Sequence, residues 1–228
     1  MNNTRYYEKK NDGVFFAKCH KDDQVDTVND GRMWRHWTFG DKEGKTLGYE
    51  SAEIHGLIES AYLKEFADKT YLNIGVQHPQ GVDVLQVELM AKDAQTLAKK
   101  LRGINLAEEV CFGTWLNTKG AFQAHGRTIV PCYLTVQQSN GVKGVAVPST
   151  FAFVDGVGYE GLPAGVKTQK MGKDVWSFEE RDEVLFKEVE DFVKRVEVEC
   201  AGRKDSRPQT PAEAAPVETE AVLDDIVF

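Results

Sequence analysis

Residues 71–90 read YLNIGVQHPQGVDVLQVELM, and this stretch decides the class of fold that the chain adopts. Apolar side chains alternate with other residues in both halves. Those that share one face are Leu72, Ile74 and Val76, followed by Leu85, Val87 and Leu89. Alternation with a period of two is typical of a β-strand with one buried face. The sequence HPQG at 78–81 is rich in turn-forming residues. The stretch therefore predicts two strands joined by a turn.

Outward from this stretch the pattern changes to a helix and then returns to strands. Residues 92–102 have helical spacing, with one apolar face formed by Ala94, Leu97, Ala98 and Leu101. Upstream, residues 53–62 predict a strand with a bulge or bend at Gly56. Downstream, strand patterns occupy 109–116 and 129–137. The predicted order is three strands, a helix and two strands.

This order predicts a mostly-β protein built on a five-stranded OB-fold, a Greek-key β-barrel that binds oligonucleotides or oligosaccharides. One helix would lie between strands 3 and 4. Other small α+β domains share the same order, so it leaves them open as alternatives. A C-terminal amphipathic helix is predicted from an apolar stripe formed by Leu185, Val189, Phe192 and Val196.

Three regions follow from these patterns. Residues 1–48 are predicted to be an N-terminal extension with a first aromatic and basic strand, and residues 49–200 the OB-fold domain with the C-terminal helix. Residues 201–228 are rich in alanine, proline and acidic residues, so they are predicted to form a disordered acidic tail that binds partners.

The charge of the chain is divided unevenly. The whole sequence has 36 acidic and 28 basic residues, a net charge of −8. Residues 176–228 contain 15 acidic and 7 basic residues, so the entire surplus lies there and residues 1–175 are balanced. This distribution excludes a uniformly basic protein that binds DNA by bulk charge, and it is typical of an acidic interaction tail.

The motifs of several enzyme classes are missing from the sequence. There is no GxSxG, P-loop, HExxH or CxxC motif, and the five histidines are dispersed. The four cysteines (Cys19, Cys111, Cys132 and Cys200) have no paired spacing. We therefore expect no enzyme activity, cofactor or metal site, although scattered groups could still converge in space. Without a signal peptide or an apolar run of membrane-spanning length, we expect a reduced, cytoplasmic protein.

Aromatic and basic residues are interleaved at 32–39, which read RMWRHWTF. On an extended strand, Trp34 faces one side, and Arg35 and Trp37 face the other. Bases of single-stranded nucleic acid stack on aromatic rings while cations such as Arg32 contact phosphates. The alternative is an edge strand that closes the barrel with buried tryptophans.

Further candidates for DNA binding are distributed over the predicted sheet and its loops. They are Lys64, Lys69, Tyr71, Trp115, Lys119 and Arg127. Trp34, Trp37, Tyr71 and Trp115 are the predicted stacking residues, and the arginines and lysines are the predicted phosphate contacts. Taken alone, each residue favours a structural role, but their joint occurrence around one cleft favours binding.

The sequence ends Leu-Asp-Asp-Ile-Val-Phe at 223–228. Two acidic residues next to an apolar tip are typical of a recognition peptide, in which Ile226 and Phe228 fill a pocket while Asp224 and Asp225 meet basic side chains. The alternative is an acidic end without a function.

The tip DDIVF resembles the acidic tips of bacterial and phage single-stranded DNA-binding proteins, with Val227 where proline is common. The body resembles the OB-fold single-stranded DNA-binding proteins of tailed bacteriophages. The similar stretches are the Trp-Phe lead-in, the strand at 53–63, the segment RGINL at 102–106, Gly-Leu-Pro at 161–163 and the helix at 176–196.

The resemblance implies a protein that coats single-stranded DNA without strong sequence preference during replication, recombination or repair. It also implies that the tip recruits a polymerase, helicase or nuclease, and that the tail occupies the DNA groove when DNA is absent. If the chain is phage-encoded, its location would be the cytoplasm of the bacterial host. A homodimer is left open, and no membrane partner is expected.

Two alternatives from other classes remain. One is a protein-interaction adaptor with an OB-like barrel and no DNA binding, for which deletion of residues 208–228 should abolish partner binding. DNA binding instead predicts equal or tighter affinity after the same deletion, because a competing anionic segment is removed. The other is a nuclease, which would need a cluster of carboxylates or histidines that the sequence does not show.

Overall fold

The computed structural model describes residues 4–19, 31–39, 42–124, 126–138, 144–155, 158–170 and 173–205. Within these ranges the side chains at 37–39, 127, 170, 173, 204 and 205 are not described. The helices are α1 (Lys92–Leu101) and α2 (Glu179–Asp205). The strands are β1 (Thr4–Lys9), β2 (Phe15–Lys18), β3 (Arg32–Phe39), β4 (Lys42–Ser51), β5 (Ile54–Phe66), β6 (Lys69–His78), β7 (Gly81–Glu88), β8 (Val110–Leu116), β9 (Phe122–Ala124), β10 (Arg127–Ile129), β11 (Cys132–Gln138), β12 (Val145–Ala146), β13 (Phe153–Val154), β14 (Gly158–Tyr159), β15 (Val166–Lys170) and β16 (Lys173–Ser177).

The protein is mostly β, as the sequence predicts. Ten strands form one sheet in the order β12-β11-β8-β5-β6-β7-β1-β2-β4-β3. The pairing of β1 with β7 is parallel, and the other recorded pairings are antiparallel. The sheet has twice the five strands predicted, because residues 4–51, nearly all in the predicted N-terminal extension, supply β1 to β4, and β12 adds a tenth strand beside β11.

The centre of the sheet has the order β11-β8-β5-β6-β7, with α1 between β7 and β8 in the sequence. Among the described residues β7 does not pair with β11, because β1 occupies the edge of β7. The Lys9 ammonium of β1 donates to the carbonyl oxygen of Cys132 in β11 at 2.9 Å and lies 3.1 Å from the carboxylate of Asp93 in α1. Thus β1 contacts both outer strands of this five-stranded group.

Strand β5 changes register near the predicted position but not at it. The shift in pairing with β6 lies between Ile58 and Ser60, not at Gly56. Gly56 has a φ of +150°, and a Cβ there would overlap the carbonyl oxygen of Gln77. Gly56 is therefore needed because two backbones approach closely there. The shift in register comes slightly later in β5, between Ile58 and Ser60.

The core contains the apolar faces that the sequence predicts. Leu72, Ile74 and Val76 are buried in β6, and all four predicted α1 residues are buried. Asn73, on the opposite face of β6, is also buried, and Gln86 Nε2 donates to its Oδ1 at 3.0 Å. The hydrogen bond compensates the buried amide for the loss of water.

Helix α2 packs against this core through its predicted stripe, in which Leu185, Val189, Phe192 and Val196 are all buried. Arg102, the C-cap residue of α1, donates to both carboxylate oxygens of the buried Glu188. The Arg195 guanidinium donates to the carbonyl oxygens of Leu101 at 2.7 Å and Arg102 at 3.2 Å. These carbonyls at the end of α1 have no partner within their own helix. Arg195 of α2 therefore supplies the hydrogen-bond donors that the end of α1 lacks.

Helix α2 ends at Asp205, five residues beyond the boundary at 200 from which the sequence predicts a disordered tail. The rest of that tail, including Asp224, Asp225, Ile226 and Phe228, lies outside the described residues. Neither α1 nor α2 combines the length and the apolar character that crossing a membrane requires.

The turn between β5 and β6 contains backbone strain that a substitution should relieve. Ala67 has a φ of 48° and Asp68 a φ of 61°, as a two-residue hairpin turn of this type requires. The left-handed region costs a residue with a Cβ about 1–2 kcal/mol. We expect Ala67→Gly to raise the free energy of unfolding by about 1 kcal/mol in urea titrations. Ala121→Gly, at an exposed residue with a φ of −63°, should lower it slightly; a stabilisation of equal size there would contradict this account.

Candidate nucleic-acid interface

The outer face of the sheet, meaning the face opposite the hydrophobic core, contains most of the exposed predicted residues. On this face, His55 of β5 pairs with Cys111 of β8. Trp115 lies four residues after Cys111, so its side chain points to the same, outer face of β8. In the other direction along β5, Lys64 pairs with Tyr71 of β6 on the same face. Two separate groups, each with at least one predicted residue, therefore share this face.

The first group is the Trp115 platform, defined as Trp115, Tyr133 and Lys92. Trp115 of β8 and Tyr133 of β11 are paired across the ladder. Their rings stack with centroids 5.7 Å apart and planes 26° apart. The Lys92 ammonium, at the start of α1, lies 5.2 Å from the Tyr133 ring centroid. Trp115 is 55% exposed, so one end of a flat aromatic surface is open to a ligand.

The connection between β8 and β11 extends this platform. Asn117 donates its backbone N–H to the carbonyl oxygen of Pro131 at 2.8 Å, and its Oδ1 accepts from the N–H of Gly120 at 3.0 Å. This holds a 3₁₀ turn that presents Lys119 to solvent. The β9–β10 hairpin follows with an exposed Phe122. Arg127 begins β10, and only its backbone is described.

The second group is the hairpin patch, defined as Lys64, Phe66, Lys69 and Tyr71 at the β5–β6 turn. Lys64 and Phe66 are exposed, and Tyr71 is half-buried. The Lys69 ammonium lies 2.8 Å from a carboxylate oxygen of Glu88, and this hydrogen bond raises the pKa of Lys69. Lys69 therefore stays charged, but a phosphate must compete with Glu88 for it.

A tyrosine pair adjoins the hairpin patch on the outer face. The Tyr62 hydroxyl donates to the Tyr6 hydroxyl at 3.3 Å. Burial, reinforced by this hydrogen bond, raises the pKa of Tyr62 to about 12. Tyr62 therefore remains uncharged at neutral pH and adds no negative charge to the surface.

The predicted residues of β3 lie at the edge of the sheet and separate into two faces. Trp34 lies against the Lys45 ammonium, 4.3 Å from its ring centroid. On the other face, the Arg35 guanidinium contacts the carboxylates of Asp12 and Glu50. Arg32 is half-buried, and the side chain of Trp37 lies outside the described residues.

The turn between β1 and β2 brings β3 near β8. Asp12 of this turn pairs with Arg35, and the Gly13 carbonyl oxygen accepts from the Thr114 hydroxyl, next to Trp115. Because Thr114 and Trp115 point to opposite faces of β8, Arg35 approaches the strand of the platform but not its stacking surface.

Sequence reasoning missed Tyr133 and Lys92. Tyr133 precedes the apolar Leu134 and alternates with it, so the pattern of β11 alone places it outward. Its pairing with Trp115 depends on the register between β8 and β11, which the pattern does not specify. Lys92 belongs to the platform only because α1 begins beside β11.

One titratable group on the outer face gives a testable pH dependence. Burial, with a smaller contribution from Glu53, raises the pKa of the Cys111 thiol to about 12. Because the thiolate is the nucleophile, we expect Cys111 in the folded protein at pH 8 to react with iodoacetamide roughly a thousandfold more slowly than an ordinary cysteine. The rate should rise about tenfold per pH unit below pH 12. Mass spectrometry of the alkylated peptide measures it; equal rates in buffer and in concentrated urea would contradict the prediction.

In the part of the chain that the structure describes, no three His, Cys, Asp or Glu side chains are grouped as metal ligands would be. Comparison of the chain with family models, with curated proteins and with solved structures gave no match. The resemblance to phage single-stranded DNA-binding proteins therefore stays a prediction, and the function has to be argued from the surface itself.

Proposed function

We propose that the protein binds and coats single-stranded DNA without strong sequence preference, during replication, recombination or repair. The observation that carries the proposal is the Trp115 platform, an exposed tryptophan stacked on a tyrosine with a lysine ammonium over the second ring. Stacking on an aromatic ring contributes about 1–3 kcal/mol per base and tolerates any sequence, because every base has a π-face.

Phosphate contacts in this proposal come from lysines around the platform. Lys92 and Lys119 are both exposed. Lys92 lies at the start of α1, and Lys119 lies in the 3₁₀ turn after β8. A strand whose bases stack on Trp115 would present its phosphates to these two ammonium groups. The hairpin patch provides a second contact region on the same face of the sheet.

The architecture supports the same proposal. We propose that β5, β6, β7, β8 and β11 correspond to the five strands of an OB-fold, because their neighbours in the sheet and the position of α1 agree with that fold. OB-folds bind oligonucleotides with the face of strands 2 and 3 and with the loops between strands 1 and 2 and between strands 4 and 5. Those loops correspond here to the hairpin patch and to the segment that presents Lys119.

The experiment is a titration of fluorescein-labelled oligo-dT with the full chain, followed by anisotropy at about 50 mM salt and above. We expect binding that weakens as salt rises. Lys92→Ala and Lys119→Ala should each reduce the slope of log K against log salt by about 0.7, the value for one phosphate contact on a single strand. Lys194→Ala, on α2, should leave the slope unchanged.

Two outcomes would contradict the proposal. One is the absence of binding at about 50 mM salt, which would favour the protein-interaction adaptor. The other is a slope that falls equally in all three lysine variants, because that result would indicate bulk charge and no defined phosphate contacts.

A further inference from the structure

A groove of about 590 Å³ lies between α1 and α2. Its floor is apolar and is formed by Leu89, Ala94, Ala98, Leu185 and Val189. Two large side chains at the groove remain open to solvent: Met90 is 78% exposed and Phe186 is 40% exposed. Exposed apolar residues that line a concave surface are typical of an interaction site.

Carboxylates surround this apolar floor. The acidic lining residues are Glu179, Asp182, Glu183, Glu190 and Asp191, and the basic ones are Lys187 and Lys194. Lys194 lies 4.0 Å from Asp191, so one of the two lysines already faces a carboxylate. Asp182 accepts from Gln95 Nε2 at 3.1 Å across the groove. The rim therefore has a surplus of negative charge.

This charge excludes three occupants. Residues 206–228 of the same chain contain five acidic residues and one base, Arg207, so the rim repels them. A second copy docked groove to groove would place acidic residues opposite acidic residues, since a two-fold interface brings the same patch of both subunits together. Single-stranded DNA is a polyanion and is repelled for the same reason.

We propose that the groove binds a basic amphipathic helix of a protein partner. Its apolar face would contact the floor beside Met90 and Phe186, and its lysines or arginines would pair with the rim. The lining of α2 runs from Glu179 to Lys194, which at 1.5 Å per residue is about 24 Å long and matches roughly four helical turns of the partner. This site is independent of DNA binding and of the acidic tip.

The test uses the full chain and a fluorescein-labelled peptide of 16 residues, made of leucines at helical i, i+3, i+4 and i+7 spacing with lysines elsewhere. A second peptide has glutamates in place of the lysines. Anisotropy should show binding of the lysine peptide and none of the glutamate peptide. Two groove variants, Glu183→Lys with Asp191→Lys and separately Phe186→Ala, should each weaken lysine-peptide binding, the charge reversal at least tenfold.

The matched control is Glu197→Lys with Glu199→Lys, which changes the same charge at exposed positions of α2 outside the groove lining. It should reduce affinity much less than the groove pair. All variants alter exposed residues, and circular dichroism checks that they fold. Equal loss of affinity in both charge-reversal pairs, or full affinity in both groove variants, would overturn the proposal. Either result would mean that the peptide binds through the overall negative charge of the protein or at the acidic tail, and not in the groove.

Discussion

Replacing Trp115 with alanine is expected to weaken oligo-dT binding by about 1–3 kcal/mol, roughly 5- to 150-fold in Kd. The indole is the open end of the stacked pair with Tyr133, so its removal eliminates the surface on which a base stacks. Because the side chain is 55% exposed, its loss leaves no large cavity. Anisotropy titrations at fixed low salt measure the effect.

The matched control is Trp176→Ala. Trp176 lies on β16 and is 59% exposed, nearly the same as Trp115, but it belongs to a separate two-stranded sheet. We expect the Kd of this variant to stay within about twofold of wild type. Equal losses for the two tryptophans, or no loss for Trp115→Ala, would show that the platform is not the stacking surface.

Phe192→Ala is expected to lower the free energy of unfolding by about 3–5 kcal/mol. Phe192 is 2% exposed and is part of the core beneath α2. Removing its ring leaves a cavity, since close-packed surroundings relax only partly. A domain of this kind has about 5–15 kcal/mol of stability in total, so the loss is a large fraction. Urea unfolding followed by circular dichroism measures it.

Phe186→Ala is the control, because the same side chain on the same helix is 40% exposed at the groove between α1 and α2. Its cost should be below about 1 kcal/mol. If Phe192→Ala and Phe186→Ala destabilised the protein equally, α2 would not be docked through its predicted stripe.

Short-range patterns in the sequence predicted the elements that bury one face. The alternation of Leu72, Ile74 and Val76 and the helical spacing of Phe192 and Val196 both agree with the observed burial. These patterns are reliable because a single buried face imposes its period on consecutive residues.

Contacts between distant residues could not be predicted in this way. The parallel pairing of β1 with β7 joins residues about eighty positions apart, and no local period encodes it. Lys9 appears in the sequence as an ordinary charged residue, yet it contacts Asp93 and the backbone of Cys132. The pairing of Trp115 with Tyr133, and the groove between α1 and α2, likewise depend on how elements pack.

The most direct test of single-stranded DNA binding at the Trp115 platform is ultraviolet cross-linking of the full chain to an oligo-dT that contains 5-bromodeoxyuridine. The cross-linked peptides are identified by mass spectrometry at about 50 mM salt, where phosphate contacts are strong. The account predicts adducts within Val110–Leu116 or Cys132–Gln138, the strands that present Trp115 and Tyr133. An absence of adducts, or adducts confined to other segments such as α2, would contradict it.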